Sequence, residues 1–165
     1  MVTKSLTEQY WVLTMKKRQS NYATNLASEF FVMSVLHRLG LEAYLTLGNK
    51  KAVDFVVVHA PGNAITIDVK AVAGKVDWLV GNVAGTPRER HYVVLITYNG
   101  KFAHVNDLPD AWIFPHKEFL ELVKTAKMPS TMRYISRVAV LKLTERAQAW
   151  HLLRANEGVA DETKT

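Results

Sequence analysis

The stretch AVDFVVVHAPGNAITIDVK, residues 52 to 70, sets two apolar, β-branched runs on either side of Pro61-Gly62. That pattern specifies two strands joined by a tight reversal, because β-branched residues favour strands and Pro-Gly favours turns. Yet Asp54, Asp68 and Lys70 lie within these strands, where an unpaired charge is costly to bury. Register decides what they mean. Successive side chains alternate faces, so Thr66, Asp68 and Lys70 share one face while Ile65, Ile67 and Val69 share the other. A loop Ala60-Pro61-Gly62 pairs His59 with Asn63 and sets Asp54 opposite Asp68, with Gly62 at the positive-φ position such loops use. A shorter loop Pro61-Gly62 sets Asp54 opposite Val69 instead, on the other face from Asp68. In the first register the carboxylates stand about 5 Å apart at Cβ, and their repulsion calls for a divalent cation, since Lys70 alone does not balance both.

The hairpin has a helix before it and further strands around it. From Asn21 to Leu39, Leu26, Phe30, Met33 and Leu36 recur at spacings of three and four, and Gly40 supplies the stop, so the spacing predicts a helix. Glu29 lies on or beside the face this stripe would bury, either as an ordinary acid near the helix start or as a third carboxylate aimed at the hairpin. Residues 42 to 47 and 91 to 98 read as strands. Between Lys70 and His91, glycines and Pro87 predict an irregular segment with one helical turn near Asp77 to Val80. Residues 111 to 114 read as a last strand, Pro115 opens a helix to about Lys124, and residues 135 to 143 are strand or helix. Thr144 reads as the N-cap of a further helix, ERAQAWHLLR.

Oxygen donors select hard ions, so Glu29, Asp54 and Asp68 suit Mg²⁺, with Mn²⁺ as the alternative. Such a site suits phosphodiester hydrolysis: the ion polarises a phosphoryl oxygen and activates water, while Lys70 orients that water or stabilises developing negative charge. In this order, helix Glu29, strand Asp54, then Asp68-Val69-Lys70 and a following apolar strand, the chain resembles the PD-(D/E)XK nuclease superfamily. The likeness covers about Asn21 to Tyr98, with Val53 where the motif's proline would stand and Ala27-Ser28 where many members have glycine before the helix glutamate. It implies a restriction-endonuclease-like α/β fold, an αβββαβ core with a central mixed sheet of four to five strands flanked by helices, here with C-terminal helices added. It also implies a Mg²⁺-dependent deoxyribonuclease with Glu29, Asp54, Asp68 and Lys70 as catalytic residues. In build the chain looks most like small archaeal-type Holliday junction resolvases. The alternative is an inactive nucleic-acid-binding or assembly module on the same fold.

Charge agrees with a polyanionic partner, DNA in the first place: 21 Lys and Arg against 15 Asp and Glu give +6 and a pI near 9.6. Lys75, Arg88 and Arg90 flank the glycine-containing segment after Lys70, and Lys50 and Lys51 precede the second strand, so these five form the expected nucleic-acid-binding set. Trp78 either stacks a base beside them or plugs a core edge. Zero cysteines exclude disulfides and thiolate chemistry, and none of the six histidines is assigned to a site. Walker, dinucleotide-binding, serine-hydrolase and zinc-protease motifs are absent. A length of 165 residues suits a single nuclease-like domain over 21–155, after an N-terminal extension 1–20 that could be helical and before a polar tail 156–165. Polar residues interrupt the only apolar patch of the N-terminus, so neither a secretory signal nor a membrane span is expected, and the cytoplasm is the expected compartment. A homodimer would widen the grip of so small a domain on a duplex.

Overall fold

A computed structural model of the protein describes residues 21–46, 53–81, 85–126 and 132–154. The proposed extension 1–20, the tail 156–165, and Lys50 and Lys51 lie outside the described residues. The hairpin forms as strands β2 (Phe55–Ala60) and β3 (Asn63–Val72). Phe55 faces Ile67, Val56 faces Thr66 and Val58 faces Ala64, whereas Ala60 faces Asn63. The chain therefore reverses through Pro61-Gly62 alone, with Gly62 at φ +78°, a conformation that glycine adopts without Cβ strain. Such a turn by itself would give the register that separates the acids. It does not, because β2 carries an irregularity between Val58 and Ala60 in which His59 is the extra residue, a bulge that shifts the ladder back by one. Beyond the Phe55–Ile67 pair, the Asp54 N–H also donates to the Ile67 carbonyl at 2.8 Å, which holds Asp54 against β3 just where Asp68 follows Ile67.

The other strands extend this hairpin into a mixed sheet. With β1 (Glu42–Leu45), β5 (His91–Thr97) and β6 (Asp110–Pro115), the order is β1-β2-β3-β5-β6, and only the β3–β5 pair is parallel. β5 is central and buried on both faces, which explains its continuous apolar run. Its alternate residues feed two cores: Val94 and Ile96 join Phe55, Ile67 and Ile113 on one side, and Val93 and Leu95 join Trp112 and Phe114 on the other. Helix α1 (Asn21–Arg38) covers the first face through Val32 and Leu36. The second face carries a small antiparallel sheet, β4 (Trp78–Leu79), β8 (Arg133–Ile135) and β7 (Val123–Thr125), with α2 (His116–Leu122) and α3 (Arg137–Val140). The architecture is α/β, a central five-stranded mixed sheet flanked by helices.

Three expectations are corrected. The seam of α1 is Thr24, Ser28, Val32 and Leu36, not the stripe through Leu26 and Phe30, which are 37% and 57% exposed. Small hydroxyl residues let the first half of the helix approach closely: Ser28 Oγ donates to the Thr24 carbonyl at 2.8 Å and lies 3.3 Å from Tyr98 Oη. Within residues 77 to 80, Trp78–Leu79 form β4 rather than a helical turn, because Trp78 is driven into the second core, where its indole N–H donates to the Ile96 carbonyl at 2.9 Å. It is the core plug, not an exposed stacking platform. Thr144 does not cap a long helix: only two short 3₁₀ turns form, Thr144–Arg146 and Trp150–Leu153, since Ala147 is drawn into a bridge with Trp112 and Gln148 takes φ 51°. Residues 133 to 140, by contrast, are both strand and helix in turn. No helix among the described residues is long and apolar enough to cross a membrane.

Gly62→Val should lower stability by about 1–2 kcal/mol, the cost of a Cβ in the left-handed region. A urea-unfolding midpoint equal to wild type would contradict the turn described here.

Candidate functional site

Asp54 stands immediately before β2, and its side chain closes the pairing. Its Oδ2 accepts the Val69 N–H at 2.6 Å, a backbone donor that the end of the β2 ladder would otherwise leave open. The carboxylate is thereby fixed over β3 while the backbones of the two strands part. Asp68, nearly inaccessible at 2% exposure, points to the same face, and Lys70 Nζ stands 2.5 Å from its Oδ1. The register thus brings Asp54, Asp68 and Lys70 together. Burial, and secondarily the neighbouring Asp68, pushes the Asp54 carboxyl up to about 7, although the Val69 N–H opposes that rise. At neutral pH Asp54 therefore holds a proton part of the time, chiefly because burial disfavours its charged form, with the nearby Asp68 adding to the effect.

Glu29 comes from the opposite layer, flanking the buried seam of α1. Burial pushes its carboxyl above the ordinary range, with Lys70 opposing and Asp68 adding to the shift, so it lies within electrostatic reach of both. It does not close a cage: among the described residues, no three His, Cys, Asp or Glu side chains are grouped as a metal site. The structure brings two of the three expected ligands together with the lysine and leaves the third at longer range.

Two histidines that the sequence leaves unassigned stand beside the acids. His91 and His116 are 3% and 2% exposed, with ring centroids 4.8 Å apart and planes nearly perpendicular. Thr66 Oγ1 lies 2.8 Å from His91 Nδ1, and the Arg88 N–H donates to His116 Nδ1 at 3.0 Å. Burial holds His91 down to about 4, with His116 reinforcing the shift and Asp68 opposing it; burial and then Arg88 lower His116 in the same sense. The neutral pair ties the Arg88 backbone to the sheet, one pair of residues along β3 from Asp68. The usable signal was the alternation Thr66, Asp68 with a parallel neighbour beginning at His91; parallel pairing, however, is not written in a single strand. Lys75, Arg88 and Arg90 are exposed, as a binding surface requires, and Arg90 adopts φ 55° next to the start of β5.

His91 sets a pH dependence of stability. Its folded value of about 4 lies below the ordinary 6.5, so the unfolded chain binds the extra proton first, and stability present above pH 6.5 is lost as pH falls to about 4. The loss amounts to about 3 kcal/mol for a group this buried. His91→Asn should flatten that part of the stability profile measured by denaturation from pH 7 to 4; an unchanged slope would contradict the assignment.

No family model and no curated relative matches the sequence. The fold is similar to that of a bacterial homing endonuclease, I-Ssp6803I, with a TM-score of 0.49 and 16% identity, over 82% of this chain and 92% of that one.

Proposed function

We propose that the protein is a metal-dependent nuclease of the PD-(D/E)XK type acting on DNA, with Asp54, Asp68, Lys70 and Glu29 as its reaction centre. The observation that carries this reading is the meeting of Asp54, Asp68 and Lys70 on one face by the bulge-corrected register. The donor set fits a hard divalent cation: two carboxylates too close to share one site without a proton, and only oxygen atoms among the donors. Asp54 and Asp68 would hold Mg²⁺ or Mn²⁺, with Glu29 adding negative charge nearby. The ion would supply Lewis-acid polarisation of the phosphate and a lowered pKa for water.

The chain's own groups account for the rest. The Val69 N–H fixes Asp54 in orientation, so that both acids face one point. Lys70, 23% exposed in its side chain, is the cation that can reach a phosphate oxygen or hold the attacking water. In hydrolysis that water forms the new P–O bond, one proton passes to a neighbouring base, and the leaving oxygen departs with the electron pair of the broken bond. Arg88 and Arg90, with Lys75, supply exposed positive charge for flanking phosphates.

A binding module without turnover is the second reading, favoured by the Lys70–Asp68 ion pair, which already neutralises one acid internally. It predicts salt-sensitive DNA binding with no divalent-ion uptake in calorimetry. The nuclease reading predicts Mg²⁺- or Mn²⁺-dependent cleavage of labelled DNA in an assay spanning duplex, flap and four-way-junction substrates. Asp68→Asn and Lys70→Ala should each lower that rate at least about 100-fold. Equal cleavage by wild type and Lys70→Ala would overturn it.

A further inference from the structure

Where the β2 ladder ends, a cleft of about 380 Å³ opens beside Lys70. That volume lies within the ordinary range for a small ligand, about 300–1,000 Å³. Three elements wall it: the first turns of α1 through Asn21 and Asn25, the C-terminal half of β3, and the segment Val76 to Leu79. Both asparagines are exposed, and neither side-chain amide has a hydrogen-bond partner among the described residues. Val76 and Leu79 are 58% and 62% exposed, leaving apolar surface in the same cleft. Asp77 uses Oδ1 to accept the Arg137 N–H, which fixes a negative charge there.

This lining selects against a phosphate. Among the described residues its only cation is Lys70, which stands at the acid end of the cleft beside Asp68, while Asp77 repels an anion farther in. It suits a nucleobase: each amide offers both donors and an acceptor to a base edge, and the apolar side chains can meet its faces. A base paired inside a duplex would first have to be extruded at a cost in unstacking, so an already unpaired base is the favoured occupant.

Resting on the nuclease reading, we propose that this cleft receives an unpaired base adjoining the phosphate at Asp54, Asp68 and Lys70, so that the substrate class is nucleic acid with an unstacked nucleotide next to the scissile bond. Asn21 and Asn25 are then specificity-determining residues. The test uses the full chain and two duplexes, one with a single bulged 2-aminopurine and one fully matched, in binding titrations without divalent ions. Wild type should bind the bulged duplex at least about fivefold tighter, the low end of a stacking or edge contact, and change the 2-aminopurine emission. The exposed pair Asn21→Ala and Asn25→Ala, made together, should bring that ratio close to one and remove the emission change. Equal binding of the two duplexes by wild type, or a ratio and emission unchanged in the double variant, would overturn the proposal. Failure of the nuclease reading is seen separately, as absence of divalent-ion-dependent cleavage of the same duplexes by wild type.

Discussion

A single extra residue, His59, sets the chemistry of this fold. The reversal at Pro61-Gly62 is as short as a hairpin turn can be, and by itself it would turn Asp54 away from Asp68. The bulge returns the strand to the register in which Val56 faces Thr66 and Phe55 faces Ile67, and so carries Asp54 to the same side as Asp68 and Lys70. The apolar side chains enforce the same choice: only this register sends Phe55, Val57, Ile65 and Ile67 together into the core beneath α1. Core packing and site assembly therefore depend on one offset, and neither can be changed without the other.

The same junction opens the sheet. Because Asp54 takes the Val69 N–H with its side chain, β2 stops pairing just where the acids lie, while β3 continues to Val72 against β5. Across this opening Glu29, from the opposite layer, feels Lys70 and Asp68. On the other side, the buried His91–His116 pair fixes the Arg88 backbone and thereby an exposed basic loop near the acids. Negative charge is concentrated at Asp54 and Asp68, and Lys70 is the cation whose charge opposes it there.

Strand alternation makes most of the hairpin legible, since side-chain period and turn residues are local. It leaves the turn length ambiguous, because a bulge is invisible to alternation and emerges only when two strands are aligned. The helix at Asn21–Arg38 is likewise legible in extent but not in seam: Leu26 and Phe30 are the more apolar residues, yet close approach to β3 and Tyr98 favours the small side chains of Thr24 and Ser28. Between Lys70 and His91 the chain has too little local preference to specify a crossover, and the burial of Trp78 decides it, producing a two-residue strand. The histidine pair depends on a parallel pairing and on a helix start at His116, both tertiary facts. Local chemistry placed the acids; long-range packing placed what surrounds them.

The most direct test is anomalous diffraction from crystals soaked in Mn²⁺. A single Mn²⁺ peak bound by Asp54 and Asp68 carboxylate oxygens, with Lys70 on the same face and His59 bulged from β2, is the predicted result. Asp54 and Asp68 on opposite faces of the sheet, or a fully occupied Mn²⁺ site elsewhere with none at this pair, would contradict it.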